Sequence, residues 1–152
     1  MPRPIKTKFK PKYPNKYRGN PMNIICRSSW ERTMCHWCDN NDAVLKWSSE
    51  EVRIRYHDPV SKRDRTYFPD FWVRFRRADG LIIEEIIEVK PQRQVDGPPI
   101  KPRRKTKSWY NEVVTYATNQ AKWISASKFC EDRGMNFRLL TEANVKDFGK
   151  YK

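Results

Sequence analysis

The sequence predicts an α/β (α+β) domain: a mixed sheet with an antiparallel three-stranded unit, flanked by helices. Three observations carry the prediction. A capped helical pattern near residue 28 precedes three strand-like segments, and a long helical pattern from residue 108 is followed by one more short strand. At 152 residues the chain is one domain's worth, enough to bury a single core.

Taken in order, residues 1–22 carry seven Lys or Arg, no acid, several prolines and no helical or strand period. They predict a basic, flexible arm that lies along phosphates, with Phe9, Tyr13 and Tyr17 free to stack. The folded domain is expected over 23–145. Its first helix opens at Ser28, where Glu31 three residues on completes a capping box, and Trp30, Met34, Trp37 and Cys38 recur at helical spacing as a core face. The helix runs to about Asn40, where the polar run Asp39-Asn40-Asn41-Asp42 breaks it. Val52 to Tyr56 alternates as a strand, and His57-Asp58-Pro59 starts a turn. Tyr67–Phe75 and Leu81–Lys90 make two further strands around Ala78-Asp79-Gly80.

Residues 91–107 hold four prolines and the cluster Lys101, Arg103, Arg104, Lys105 and Lys107, so they predict a basic loop. Ser108 then caps a long helix patterned through Val113, Tyr116, Ala117, Ala121, Ile124 and Phe129 and ended by Gly134. Phe137 to Leu140 is a last short strand, and residues 146–152 read as a C-terminal tail.

Thirty-two Lys and Arg against eighteen Asp and Glu leave a net charge of +14, which directs the chain toward polyanions, nucleic acid first. No segment approaches the roughly 18 consecutive apolar residues of a membrane span, and no apolar leader follows Met1. A soluble intracellular protein with no membrane partner is therefore expected. Cys35-His36-Trp37-Cys38 is a CxxC without a second ligand pair at finger spacing, and packing inside one helical turn is the simpler reading. A metal or redox role for Cys35 and Cys38 stays open. His36 and His57 have no evident partner in the sequence.

The most informative stretch is Ile82 to Pro91, IIEEIIEVKP, where acids interrupt a greasy strand of a basic chain. If Ala78-Asp79-Gly80 is a three-residue hairpin turn, with Gly80 supplying the left-handed conformation, Arg77 faces Leu81. Phe75 then faces Ile83, Arg74 faces Glu84, Trp72 faces Ile86, and Asp70 faces Glu88. Glu84 has Arg74 as a plain structural partner. Asp70 and Glu88 have each other, and two full charges about 5 Å apart repel by roughly 3 kcal/mol at an effective dielectric near 20. Protonation, the nearby Lys90 or a bound divalent cation can relieve this. A bulge at Glu84-Glu85 would instead send the two acids to opposite faces. Oxygen ligands grouped this way suit Mg²⁺ or Mn²⁺, and with Lys90 beside them they suit phosphodiester hydrolysis.

Pro69-Asp70 followed by Glu88-Val89-Lys90 resembles the PD…(D/E)xK pattern of the restriction-endonuclease-like nucleases. The setting makes the resemblance specific: Tyr67-Phe68-Pro69-Asp70-Phe71, Ile87-Glu88-Val89-Lys90-Pro91, Ser28-Ser29-Trp30-Glu31, Trp47-Ser48-Ser49-Glu50 and Asn119-Gln120-Ala121-Lys122-Trp123. Together they resemble the TnsA-type branch, and within it the head completion nucleases of contractile-tailed bacteriophages, over about residues 13–142. The resemblance implies a restriction-endonuclease-like core and Mg²⁺-dependent DNA cleavage, with Mn²⁺ able to substitute, during completion of the filled phage head. It assigns Asp70 and Glu88 to the metal, Lys90 to the attacking water or the transition state, and Glu31 to a further acidic position. Gln120 and Lys122 fall on the second helix, where such nucleases place a polar residue toward the site, or on a solvated face. Arg103, Arg104, Lys105 and Lys101 look like phosphate contacts. The implied partners are DNA and phage portal or neck proteins, with a monomer acting in the host cytoplasm during assembly and associated with the virion. A DNA-end nuclease working with a transposase subunit, and a non-catalytic portal plug, are the alternatives.

Overall fold

The computed structural model describes residues 4–148. Along the chain run β1 (Pro4–Phe9), β2 (Ile24–Ser28), α1 (Ser29–Asn40), β3 (Val44–Ser49), β4 (Ile54–Asp58), β5 (Arg63–Tyr67), β6 (Phe71–Arg76), β7 (Ile82–Val89), α2 (Gln92–Asp96), α3 (Lys107–Asp132), β8 (Asn136–Leu140) and α4 (Glu142–Phe148). The central sheet has the order β3-β6-β7-β8, with β7–β8 parallel and the other two pairings antiparallel. The mixed sheet flanked by helices is thus present. Its antiparallel unit is β3-β6-β7, however, and β4 pairs with β5 in a separate two-stranded ribbon. The sequence reading passed over β3, because Val44 to Ser49 is short and alternates poorly.

The register of the central hairpin is the one its turn dictates. Phe71 pairs with Ile87, Trp72 with Ile86, Arg74 with Glu84 and Phe75 with Ile83, with no bulge. Gly80 takes φ +88°, its N–H donates to the Arg77 carbonyl at 2.9 Å, and the Arg77 N–H donates to the Leu81 carbonyl at 2.8 Å. Arg74 Nε meets Glu84 Oε1 at 2.9 Å, so Glu84 has the partner expected of it.

Period-2 alternation then sorts the core onto two faces. Phe71, Val73 and Ile87 pack with Met34, Cys35 and Cys38 of α1 and with Trp47. Trp72 and Ile86 point the other way and pack with Cys130 of α3. The buried stripe of α3 is Asn119, Trp123, Ala126 and Cys130, while Ile124 is 68 % exposed. This stripe is offset from the expected one because α3 carries apolar residues on several sides, so that periodicity alone does not select a face. The α1 cap is as read: the Ser28 hydroxyl accepts from the Glu31 N–H at 3.1 Å. For α3 the cap is Thr106, which accepts from the Trp109 N–H.

Residues 1–22 do not form the unanchored arm that their composition predicts. Residues 1–3 lie outside the described residues, but β1 pairs with β2, and Phe9 and Tyr17 are buried in the core beside Trp47. The physical reason is a distant acid. Asp39, 2 % exposed, accepts from the backbone N–H groups of Lys12 and Tyr13, while Lys16 Nζ donates to the carbonyls of Asp39 and Asn41. At the other end, α4 takes in residues 146–148 of the expected tail, and Phe148 packs against Trp37 with ring centroids 4.7 Å apart. Within 91–107, residues Gln92–Asp96 are helical and the rest is irregular. His57 pairs with Asp64 across the β4–β5 ribbon at 2.9 Å, and His36 packs edge-on to Phe9. All four cysteines are buried and free. No described helix is long and apolar enough to cross a membrane.

Candidate active site

A cavity of about 600 Å³ opens at the end of the β6–β7 hairpin, lined by Asp70, Glu88 and Lys90 together with Glu31, Tyr67 and Lys122. Asp70 stands just before β6 and Glu88 near the end of β7, on the face they share with Trp72 and Ile86. The Asp70 N–H approaches Glu88 Oε2 at 3.4 Å, and the Val89 N–H donates to Asp70 Oδ2 at 2.8 Å. Each acid is therefore held in part by the backbone of the other's strand. The two carboxylates converge as the hairpin register requires.

Glu88 is only 4 % exposed. Its Oε2 accepts from the Tyr67 hydroxyl, and its Oε1 lies 3.6 Å from Lys90 Nζ. Burial pushes the Glu88 carboxyl above its usual range, against the pull of Lys90 and the Tyr67 hydroxyl. Burial first, and then the Glu88 charge, push Asp70 well above the usual carboxylate range. Glu31 adds to that upward push, while the Val89 N–H and Lys90 oppose it. The Tyr67 phenol is likewise driven up by burial and by Glu88, so it remains a proton donor to the carboxylate.

Lys122 of α3 lines the same cavity, its ammonium 5.6 Å from the Tyr67 ring centroid and 5.8 Å from that of Tyr56. Burial and then Lys90 lower its pKa, although Glu88, Asp58 and Asp70 pull the other way. Glu31 also reaches the cavity from the first turn of α1, with its Oε2 accepting from the Arg27 N–H at 2.8 Å. Cap and cavity wall coexist in this residue.

Other expected residues fall elsewhere. Gln120 lines a separate groove with Trp123 and Phe137, and Lys101, Arg103, Arg104 and Lys105 are exposed without lining the carboxylate cavity. The sequence reading missed Tyr67 as a partner of Glu88, and also Glu50. Glu50 adopts φ +55°, a left-handed conformation that costs a non-glycine residue about 1–2 kcal/mol. It is held there by its N–H bond to the Asp70 carbonyl at 3.1 Å and by its ion pair with Arg27. The aromatic hydroxyl next to Pro69-Asp70 was the available sign for Tyr67; nothing in the sequence marks the backbone of Glu50.

The donor set fits a hard divalent cation. Two carboxylates repel each other in a half-closed cavity, and the oxygens of one or two carboxylates plus water and phosphate are what Mg²⁺-type ions take. No group of three or more His, Cys, Asp or Glu gathers as a cage among the described residues. Glu31 lines the same cavity as the carboxylate pair.

Two acids and a lysine at the open end of an antiparallel hairpin, inside a mixed sheet with helices on both faces, define a nuclease of the restriction-endonuclease-like class. The chain belongs to the TnsA-like endonuclease family: the model of the TnsA-like endonuclease N-terminal domain matches residues 41–142. It is 37% identical over 146 residues to the head completion nuclease of Enterobacteria phage T4, covering 93% of this chain and 94% of that protein. No solved structure is a significant match.

Proposed function

We propose that the chain is a metal-dependent DNA endonuclease that trims or processes DNA at the filled phage head. The observation that carries this is the pair of a half-buried Asp70 and a buried Glu88, facing each other beside Lys90 in a chain of net charge +14. Such a pair is a liability to folding and an asset to phosphodiester hydrolysis. The phage relative covering almost the whole chain supports the place in head completion.

Asp70 and Glu88 would hold the cation, Mg²⁺ in the first instance with Mn²⁺ substituting. When bound, it supplies Lewis-acid polarisation of the scissile phosphate and a more acidic water. The backbone N–H of Val89 and the Tyr67 hydroxyl fix the carboxylates so that they need not reorganise during the reaction. Lys90 places its ammonium where negative charge develops on the phosphoryl oxygens. Water adds across the P–O bond, its hydroxyl to phosphorus and its proton to the departing sugar oxygen. Glu31 keeps the cavity mouth acidic, and Lys122 counters the anionic wall from α3. Exposed Lys101, Arg103, Arg104 and Lys105 grip phosphates without reading bases, so cleavage has little sequence preference. Portal or neck proteins are the natural neighbours for an enzyme at this stage of assembly.

Incubation of the protein with supercoiled plasmid and with linear duplex, in Mg²⁺, Mn²⁺, Ca²⁺ or EDTA, tests the proposal. Cutting in Mg²⁺ or Mn²⁺ that EDTA abolishes is expected. Tight DNA binding with no cutting under any of these conditions would replace it with a non-catalytic portal plug.

A further inference from the structure

The β4–β5 ribbon runs into the active-site cavity, and its alternation decides what its last residues do. The register pairs Arg55 with Thr66 and Ile54 with Tyr67, so one step further along the chain Arg53 stands opposite Phe68. Period 2 sends successive side chains to opposite faces. Tyr67 turns inward, 5 % exposed, and gives its hydroxyl to Glu88. Phe68 turns the other way. It is 43 % exposed, and it lines the same cavity as Asp70, Glu88 and Lys90.

Folding alone does not call for a phenyl ring at this place, because full burial of such a side chain is worth about 1.5–3 kcal/mol and Phe68 forgoes much of it. Other large apolar side chains are exposed among the described residues, Leu81, Tyr110 and Ile124 for example, but of these exposed residues Phe68 alone lines the carboxylate cavity. Its backbone is held on both sides, since Tyr67 before it and Pro69 after it are buried. The ring is thus presented at the cavity from an anchored segment.

The chemistry of the surroundings narrows what the ring can meet. Glu31, Asp70, Glu88, Lys90 and Lys122 make the rest of the cavity strongly polar, which suits a cation and a phosphate. The part of a nucleotide that suits a flat apolar ring is the base, and base–aromatic stacking is worth about 1–3 kcal/mol. Arg53 supplies the complementary charge. Its guanidinium lies 5.8 Å from the Phe68 ring centroid, and it is exposed and in no ion pair among the described residues. Two residues of chain reach at most about 7 Å, so Phe68 and Asp70 are separated by no more than about two steps of 3.4 Å along a DNA strand. Inside a continuous duplex each base already has a neighbour on both faces, so the ring can stack only on a base that is out of the helix.

We propose that Phe68 is the stacking platform for an unpaired base flanking the phosphate at Asp70, Glu88 and Lys90, with Arg53 on the phosphate beside that base. The proposal rests on the nuclease reading above and adds a substrate class to it. DNA with an unpaired nucleotide next to the cut is preferred over continuous duplex.

Overhang DNAs carrying 2-aminopurine at successive unpaired positions, bound in EDTA, read the platform without cleavage. The wild type should quench the emission at one position of the overhang and not uniformly. Phe68→Leu keeps apolar bulk without a π face; it should lose that quench and weaken overhang binding relative to blunt duplex by about 5-fold or more, the lower end of one base–aromatic stack. Phe68→Trp should restore both, which a purely structural role for the ring would not produce. Arg53→Ala should lower the slope of log overhang affinity against log salt by about 0.7, one phosphate of a single strand, while Phe68→Leu leaves the slope as it is. Uniform emission changes, a quench that survives in Phe68→Leu, or equal losses on overhang and blunt DNA overturn the platform, and an unchanged slope in Arg53→Ala overturns the phosphate contact beside it. Wild-type protein that cuts DNA while Phe68→Leu keeps the wild-type preference between overhang and duplex sinks the platform and spares the nuclease reading. Position-specific, aromatic-dependent quenching with no cutting in any divalent cation does the reverse.

Discussion

Replacing Asp70 by Asn removes a negative charge from a place where folding gains nothing from it. Burial and Glu88 together hold the Asp70 carboxyl well above its usual range. Two full charges about 5 Å apart at an effective dielectric near 20 repel by roughly 3 kcal/mol. Proton uptake limits the cost: keeping a carboxyl of ordinary pKa near 3.9 protonated at pH 7 costs about 4 kcal/mol. The Val89 N–H keeps an acceptor in the Asn oxygen, so the variant loses little else. In EDTA at neutral pH, Asp70→Asn should therefore be more stable by about 1–3 kcal/mol, a rise in Tm of roughly 2–10 °C for a domain this size. The sign with pH follows from linkage. A carboxyl raised in the folded state keeps a proton that the unfolded chain releases above about pH 3.9, so its contribution to stability is present below that pH and is lost as pH rises toward the folded value. The advantage of the variant should then be small near pH 4 and grow toward pH 8. Thermal unfolding followed by circular dichroism, as the difference between variant and wild type at each pH, cancels the other titrating groups. A variant less stable at neutral pH, or an advantage independent of pH, would refute the reasoning.

Tyr67→Phe deletes the hydroxyl donated to buried Glu88 and should destabilise the fold by about 1–2 kcal/mol, read by chemical denaturation, with a several-fold fall in cleavage rate. Glu31 and Ser28 separate cap from chemistry. Ser28→Ala should cost about 1 kcal/mol of stability with cleavage largely kept, whereas Glu31→Gln, which still accepts from the Arg27 N–H, should keep stability and lose rate. Changing Lys101, Arg103, Arg104 and Lys105 together to Ala should lower the slope of log affinity against log salt by up to about 3.6, at about 0.9 per phosphate contact, measured by DNA-binding titrations across salt. An unchanged slope would take that loop off the DNA.

The hairpin and its acids were legible because local rules fix them. A glycine-bearing turn sets the register, period 2 sets the face, and so Asp70 and Glu88 could be brought together on paper. The order of the N-terminal segment was not legible, since it depends on Asp39 at a separation of 26 and 27 residues. Composition speaks only for what a segment does alone. The buried face of α3 was missed for a related reason: its choice of Trp123 over Ile124 is made by the sheet it packs on. Glu50 escaped because a left-handed backbone at a glutamate leaves no mark in residue type.

Single-turnover cleavage of one defined duplex in Mg²⁺ by the wild type, Asp70→Asn, Glu88→Gln and Lys90→Met, each first shown to be folded and to bind the DNA, tests the hydrolytic centre most directly. Each variant should cut slower by at least about 10²-fold, the scale of removing one preorganised charge from a transition state. Rates within a few-fold of wild type in any of the three would place the chemistry somewhere other than this hairpin.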